Sequence, residues 1–275
     1  MPTIQTYNSF ASGLASEYGA TIGVEPDTQV LDDASAIELA DQVVATAHPD
    51  FIPPGKPRSS LVKELIHLAG QANEHLCAPE DIITYLNRCL YAFLNSEFID
   101  DCIATIKNKR SIGAQEKEDY SSFLRELTAS YLDAPGRLWP EDVTEQVFTL
   151  LETLGICPAI ADVRNKKRLA HLLGAFAALK KEKRAMQFSD QVSFAYQAMK
   201  ADPNIVQSER AKWKVVFLDE YQDTSDSQVK MLKTLFAGLP ITAVGDPRQS
   251  IYAWRGASEL NIEGFPRDFA SPGHD

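Results

Sequence analysis

Apolar residues in the middle of the chain recur mostly at helical spacing, whereas two apolar runs near the carboxyl end are short and continuous. The helical spacing extends from Gly19 to Met186, and residues so placed usually form the core-facing side of amphipathic helices. A helix capped by Asp32 or Asp33 is expected to continue to about Ala47. Further helices are expected at residues 61–73, 79–94, 97–109, 116–132, 141–154 and 168–183.

Two segments interrupt this helical pattern. Residues 28–31 are expected to form a short extended piece, and residues 48–60 contain four prolines, which predict a loop. No run of eighteen consecutive apolar residues and no charged-then-apolar leader occurs, so we expect neither a membrane span nor a signal peptide.

The two continuous apolar runs predict buried strands. Residues 215–218 read Val-Val-Phe-Leu and residues 241–244 read Ile-Thr-Ala-Val. Between them, residues 228–236 have helical spacing, with N-cap candidates at 225–227 and with Gly238 and Pro240 beyond the end. Strand, helix and strand at this separation predict a βαβ unit whose two strands end at the same crevice, where ligands bind in open α/β sheets.

The first of these strands is followed at once by two acidic residues, Asp219 and Glu220. Carboxylates at such a position are costly unless they hold a cation or move a proton. The alternative is an acidic surface turn, which a lone acidic pair would favour. The residues downstream favour the chemical interpretation.

Two segments at these strand ends resemble the conserved motifs of a known family. Residues 219–224 read D-E-Y-Q-D-T, and residues 245–257 read G-D-P-R-Q-S-I-Y-A-W-R-G-A. They resemble motifs II and III of the superfamily 1 DNA helicases of the UvrD, Rep and PcrA type. The resemblance implies an α/β fold in which a RecA-like parallel sheet, part of motor domain 1A, is interrupted by a mostly helical 1B subdomain.

The resemblance also implies limits for these subdomains. The first part of motor domain 1A would comprise residues 1–18, the helical 1B subdomain residues 19–186, and the remainder of 1A residues 187–275. Residues 187–191 stand where the family chain returns to the motor domain.

Roles in ATP hydrolysis follow from the resemblance and agree with the chemistry of the side chains. Asp219 would hold the Mg²⁺ of Mg-ATP, because Mg²⁺ prefers oxygen ligands. Glu220 would orient and deprotonate the attacking water, and Gln249 would sense the γ-phosphate. Asp219 and Gln249 are therefore the candidate nucleotide-binding residues, and Gln222 and Asp223 are expected to support the coupling.

Residues for DNA contact are expected in two places. Tyr252, Trp254 and Arg255 suit single-stranded DNA, because bases stack on aromatic rings and Arg binds phosphate and π-faces; the alternative for such an aromatic pair is one strand face in a core. Residues 5–10, Q-T-Y-N-S-F, resemble the T-F-H-S segment called motif Ib, which touches the DNA strand. The expected contacts are made by Thr6, Tyr7 and Asn8, with Tyr7 stacking on a base and Asn8 replacing the usual His.

A phosphate-binding loop is missing from the sequence. No G-x-x-x-x-G-K-[ST] pattern occurs, and the only Gly-Lys pair, Gly55-Lys56, is followed by Pro57. In the family this loop precedes the T-F-H-S segment, and motifs IV to VI lie in a second motor domain. The expectation is therefore an internal piece of a larger ATP-dependent helicase that translocates 3′ to 5′ on DNA, inactive alone without those segments.

The charge of the chain does not by itself decide whether the chain binds DNA. The formal net charge of −11 argues against nucleic acid, yet residues 164–184 hold eight Lys and Arg against one acid. This basic segment could follow a DNA backbone or could be a solvated helix face; the resemblance favours duplex DNA as a partner, because the equivalent subdomain of the family approaches the duplex ahead of the fork. Its members are Arg164, Lys166, Lys167, Arg168, Lys180, Lys181, Lys183 and Arg184.

The four cysteines lack metal-binding spacing and are expected to be buried thiols in a reducing cytoplasm. Two other functions stay open for the chain. One is a non-catalytic DNA-binding or partner-binding module derived from a helicase, and the other is a nucleotide hydrolase unrelated to DNA. An upstream phosphate loop and a downstream second motor domain in the coding region would favour the helicase, and the aromatic pair of motif III argues against the plain hydrolase.

Overall fold

The structure is a computed structural model that describes residues 2–131, 140–249 and 260–270. Within these ranges the chain is mostly helical, with short parallel sheets. The helices are α1 Tyr7–Tyr18, α2 Asp33–Thr46, α3 Arg58–His75, α4 Pro79–Phe93, α5 Ser96–Asn108, α6 Ala114–Tyr131, α7 Glu141–Thr153, α8 Pro158–Glu182, α9 Asp190–Ala201, α10 Pro203–Lys212, α11 Asp226–Phe236 and α12 Leu260–Phe269. The strands are β1 Gln29–Val30, β2 Ala185–Met186, β3 Val216–Leu218 and β4 Ile241–Ala243.

The chain divides into two compact units. The first comprises residues 1–47, 56–78 and 172–275, and the second residues 48–55 and 79–171. The core of the first unit joins α1, α9, α11 and the inner face of β3, with Leu14, Ala195, Leu218 and Leu235 among its buried residues. The core of the second unit joins α5, α6 and α7, with buried residues that include Ile99, Leu124 and Phe148.

Local signals in the sequence account for most helix starts. The Asp32 side chain accepts a hydrogen bond of 2.7 Å from the Ser35 amide and caps α2 as expected. Ser225 caps α11 in a capping box with Gln228, in which each side chain satisfies the other residue's backbone amide. Helix α10 was not expected from the sequence, although Asp202 at its N-cap and Pro203 in its first turn are a standard start signal.

The predicted start of α8 at residue 168 is wrong, because the helix begins at Pro158. The basic run from residue 164 obscured the apolar pattern. Arg164 and Arg168 of this run both bond Glu152 of α7, so part of a polar helix face packs beside another helix.

The βαβ unit has the predicted order and direction. β3 and β4 pair in parallel, with Val216 opposite Ile241, Phe217 opposite Thr242 and Leu218 opposite Ala243. The chain between them forms α11. A second parallel pair joins β1 to β2, at opposite ends of the long helical stretch, with Gln29 opposite Ala185.

The prediction that both strands are buried is wrong. Side chains alternate between the faces of a sheet, and Leu218 lies in the core while Phe217 is 71% exposed. Val215 and Val244 are also exposed on this outward face. The reason is that the helices of the first unit cover one side of the β3–β4 pair, and no described residue covers the other.

The cysteine expectation needs a similar correction. Cys102 alone among the four is buried, and burial raises the pKa of its thiol to about 12. Cys77 is exposed, and Cys89 and Cys157 are partly exposed. Among the described residues, no single helix is both long and apolar enough to cross a bilayer; α7 and α8 satisfy both conditions only as a pair, and that pair is bent by 118° at the break between them.

Candidate functional site

The candidate site lies where β3 and β4 end side by side. Hydrogen bonding continues beyond the paired strands, since the Val244 amide donates to the Leu218 carbonyl at 2.8 Å. The Tyr221 amide then donates to the Val244 carbonyl at 3.0 Å. The acidic loop after β3 is thereby held against the loop after β4, as expected for neighbouring parallel strands.

The two carboxylates of the acidic loop are exposed and arranged by the backbone. The Glu220 amide donates to Asp219 Oδ1 at 3.0 Å. Glu220 has a φ of 49°, in the left-handed region that residues with a Cβ seldom adopt. Such strain persists only where surrounding contacts enforce it, and it is frequent at functional sites. The left-handed backbone therefore gives the Glu220 side chain an unusual direction, and the Glu220 amide orients the Asp219 carboxylate.

Gln222 connects the acidic loop to the loop after β4. Its Nε2 donates to Glu220 Oε2 at 2.7 Å, and its Oε1 accepts from the Asp246 amide at 3.2 Å. Gln222 is buried, so this double contact is shielded from water. Its amide therefore joins the candidate base to the segment that carries Gln249.

Gln249 lies in a short 3₁₀ turn, Pro247–Gln249, on this second loop. Its Nε2 donates to Asp246 Oδ2 at 3.0 Å, and the other oxygen of Asp246 accepts from the Arg248 amide at 2.9 Å. Glu220 and Gln249 are thus joined through Gln222 and Asp246. The structure brings Asp219, Glu220 and Gln249 to one edge of the sheet, as the sequence predicts.

The amino-terminal segment also reaches this edge. Thr6 caps α1 by accepting a hydrogen bond of 3.1 Å from the Ser9 amide. The Tyr7 hydroxyl donates to the Asp219 carbonyl at 2.6 Å, and Asn8 Oδ1 accepts from Gln228 Nε2 at 2.9 Å. These contacts face the protein, and the DNA contacts expected of the three residues stay predictions.

The environment of Tyr7 keeps its phenol protonated. Burial raises the pKa of Tyr7 well above its usual value, and the neighbouring Tyr221, Asp219 and Glu220 raise it further. The hydroxyl is therefore a hydrogen-bond donor at any physiological pH. The three residues predicted to form the DNA platform, Tyr252, Trp254 and Arg255, lie outside the described residues.

The donor set suits Mg²⁺ bound to a nucleotide. Among the described residues, no group of three or more His, Cys, Asp and Glu side chains could hold a metal ion by itself. Mg²⁺ in phosphoryl-transfer sites, however, usually takes one or two carboxylates and fills its shell with water and substrate phosphate. Asp219, exposed at a strand end, supplies one such carboxylate.

The basic segment of residues 164–184 is largely paired within the protein. Six of its eight cations contact carboxylates, and three of those six, Arg164, Lys167 and Arg168, pair with Glu145 or Glu152 of α7. Lys180 pairs with Asp190, and both side chains are buried. These contacts favour a structural role for most of the segment over contact with DNA phosphates.

The close packing of Gly245 and the contact between Tyr7 and Asp219 were not predicted from the sequence. Gly245 lies so close to Gln222 that a Cβ at this position would collide with Gln222 Oε1. The glycine at the end of β4 was a usable signal, because glycine after a strand often marks a close approach of another group. The contact of Tyr7 with Asp219 joins residues 212 positions apart, and a contact at that separation cannot be predicted from local sequence patterns.

Fold and site together define a mostly helical α/β chain with a strand-end acidic loop held against a second strand-end loop. A family model described as the UvrD/REP helicase N-terminal domain matches residues 1–270. The chain belongs to this helicase family, and the resemblance stated from its motifs is confirmed.

Individual relatives match over shorter stretches. The ATP-dependent DNA helicase UvrD1 of Mycobacterium tuberculosis is 39% identical over 93 residues, which cover 31% of this chain and 12% of that protein. The ATP-dependent DNA helicase PcrA of Leuconostoc citreum is 30% identical over 110 residues, 40% of this chain and 15% of that protein. DNA helicase II of Rickettsia typhi is 38% identical over 88 residues, 31% of this chain and 13% of that protein. The chain thus aligns with no more than 15% of the length of these three relatives.

Proposed function

We propose that this chain forms part of the motor of an ATP-dependent DNA helicase that couples ATP hydrolysis to 3′ to 5′ movement along single-stranded DNA. In this proposal residues 1–18 and 187–275 belong to a RecA-like motor domain, and residues 19–186 form its 1B subdomain. Membership of the UvrD/REP family and the ATP-dependent DNA helicases among its relatives support the proposal. A protein loop that binds the phosphates of the nucleotide and a second motor domain would act together with this chain in the intact enzyme.

The proposed chemistry is attack of water on the γ-phosphorus of ATP. Glu220 accepts the proton of that water as the new P–O bond forms and the bond to ADP breaks. Asp219 would hold Mg²⁺, which would supply neutralisation of the charge on the phosphate oxygens. Gln249 contacts the γ-phosphate with its amide and reports its presence to the following segment, where Tyr252, Trp254 and Arg255 would bind single-stranded DNA.

One observation carries the proposal: the hydrogen-bonded connection from Glu220 through Gln222 and Asp246 to Gln249. A solvated acidic turn needs no such connection. A hydrolysis site coupled to DNA movement does, because loss of the γ-phosphate has to change the second loop. Buried Gln222 makes the two loops respond together, since a bond shielded from water is lost only at a cost.

The test is Glu220→Gln in the full-length protein. Glutamine keeps the size of the side chain and an oxygen for Gln222, but it cannot accept the proton. We expect ATP hydrolysis to fall by roughly 100-fold or more, the usual contribution of a general base, while ATP binding is retained. DNA-stimulated phosphate release and binding of a fluorescent ATP analogue are the two measurements.

Glu38→Gln is the matched control, because Glu38 is an exposed glutamate of helix α2. It should leave both measurements unchanged. Turnover by Glu220→Gln close to that of the unchanged protein would contradict the assigned base.

A further inference from the structure

Tyr7 and Asn8 differ from the Phe and His of the family's T-F-H-S pattern. Both side chains contact the chain near the acidic loop that follows β3. The Tyr7 hydroxyl, absent from Phe, donates to the carbonyl of Asp219 at 2.6 Å. Asn8 Oδ1 accepts from the Gln228 side chain at 2.9 Å, within the capping box that starts α11. The first turn of α1 therefore touches the chain at residues 219 and 228, on both sides of the 3₁₀ turn Tyr221–Asp223.

The bond from Tyr7 acts on one particular peptide plane. The Asp219 carbonyl accepts from Tyr7, and the Glu220 amide of the same peptide donates to Asp219 Oδ1 at 3.0 Å. A peptide unit is planar, so fixing its carbonyl also fixes the direction of its amide. The Tyr7 hydroxyl thereby holds the amide that orients the Asp219 carboxylate.

The same peptide precedes the strained residue. Glu220 adopts a φ of 49°, and the next amide, that of Tyr221, is fixed on the Val244 carbonyl. A left-handed conformation at a residue with a Cβ relaxes unless contacts on both sides hold it. Tyr7 supplies the contact on the amino side and the β4 strand end the contact on the carboxyl side.

The Tyr7 ring is well anchored for this task. Tyr7 is the first residue of α1, directly after the N-cap Thr6, and its ring packs against the core of the first unit. Its hydroxyl lies 2.6 Å from the Asp219 carbonyl. A ring-anchored donor beside a strained acidic loop has the properties of a positioning group.

We propose that Tyr7 is a positioning residue, which sets the directions of the Asp219 and Glu220 side chains by holding the peptide between them. This inference rests on the proposed function, in which those side chains bind Mg²⁺ and activate water. Because the T-F-H-S pattern has Phe at this position, the proposal assigns the hydroxyl a graded effect on a site that can form without it.

The experiment compares Tyr7→Phe with Tyr18→Phe in the full-length protein. Both variants remove one phenol hydroxyl from α1, and Tyr18 donates to Glu209 at 2.6 Å rather than to the acidic loop. We expect Tyr7→Phe to lower kcat about three- to tenfold, the range of one lost hydrogen bond, with KM for ATP within about twofold. The affinity for Mn²⁺ in the presence of a non-hydrolysable ATP analogue, measured by electron paramagnetic resonance, should weaken about threefold, and the Glu220 amide resonance should move. Tyr18→Phe should change none of these and should lower the melting temperature only.

Glu220→Gln is included to separate the two proposals. If Glu220→Gln abolishes hydrolysis while Tyr7→Phe and Tyr18→Phe both match the unchanged protein, the positioning role is refuted and the proposed function stands. If Glu220→Gln hydrolyses normally, the assigned base fails. The positioning role is then decided by Mn²⁺ affinity and the Glu220 resonance, and unchanged values in Tyr7→Phe overturn it.

Discussion

Single residues at the strand ends determine how closely the two loops of the candidate site approach. Gln222 fills the space beside Gly245 and bonds to both Glu220 and Asp246. This packing leaves no room for a side chain at position 245, whereas Gly13, on the exposed side of α1, has no heavy atom near its missing Cβ. The two glycines therefore have opposite structural roles.

Gly245→Ala should push Gln222 out of its site and destabilise the protein. Forcing an extra methyl into a packed region costs typically about 1–3 kcal/mol, and the lost bonds of a buried amide add to that cost. Gly13→Ala should instead stabilise the protein by about 1 kcal/mol, because alanine is the better helix former. Urea unfolding of the two variants gives both free energies, and a neutral Gly245→Ala would show that the loops do not depend on this contact.

For single residues, the sequence predicted the positions that depend on neighbouring residues in the chain. The acidic pair after an apolar run, and Gly-Asp after another, placed Asp219, Glu220 and Gln249 at one sheet edge, which the structure confirms. The partner of Tyr7 could not be predicted, because it depends on how α1 lies against a strand distant in sequence. The exposure of Phe217 could not be predicted either. Phenylalanine is typical of buried strands, but no described layer covers the side of the sheet on which Phe217 lies.

Helices α7 and α8 show how element boundaries depend on charge pairs as well as apolar spacing. Glu152 of α7 lies between Arg164 and Arg168 of α8, at 3.0 Å and 2.6 Å, and all three side chains are largely buried. Burial opposes ionisation of Glu152, but the hydrogen bond and charge of Arg168 and the charge of Arg164 outweigh it, so the pKa of Glu152 is lowered. Removing a partner from such a group leaves a buried charge unmatched.

The lowered pKa of Glu152 makes its contribution to stability pH-dependent. A carboxyl whose pKa is lower in the folded protein stabilises it above the unfolded value of about 4.3, and this stabilisation disappears as pH falls through the folded pKa. Glu152→Gln resembles the protonated residue at every pH. We therefore expect it to lower the melting temperature clearly at pH 7, with the difference from the unchanged protein shrinking below about pH 4.

Melting curves from pH 7 to pH 3 measure this difference directly. Glu126→Gln, an exposed glutamate of α6, is the control and should lie close to the unchanged protein throughout. A gap for Glu152→Gln that stays constant over the whole range would mean that Glu152 stabilises by packing rather than by its charge.

The whole molecule combines two separately packed units. The second unit, residues 48–55 and 79–171, falls entirely within the span predicted for the 1B subdomain, and among the described residues its core consists of helices and the loops that join them. The first unit is larger than the predicted motor portion, because it also contains α2, α3 and the end of α8. Helical spacing revealed helices α2 to α8 and α11, but it could not assign them to units, because an apolar stripe does not specify which element packs against it.

The outward face of the β3–β4 pair is the most apolar exposed strand surface of the first unit described by the structure. Val215, Phe217 and Val244 are 50%, 71% and 57% exposed and share this face with Pro240 and Thr242. Parallel sheets are ordinarily covered on both sides, so an open face of this composition is unusual. It should behave as a hydrophobic surface in the 275-residue chain.

Phe217→Ser tests this surface. The 275-residue chain should bind a hydrophobic fluorescent dye such as anilinonaphthalene sulfonate, and the variant should bind clearly less of it. Because Phe217 contributes little buried area, its replacement should change the free energy of unfolding by no more than about 0.5 kcal/mol. Ile37→Ser, at a 51% exposed apolar residue on helix α2, is the control and should leave dye binding nearly unchanged. Equal dye binding by all three proteins would show that the outward face is not an accessible apolar surface, whereas a large loss of stability in Phe217→Ser would show that the ring packs within the folded chain.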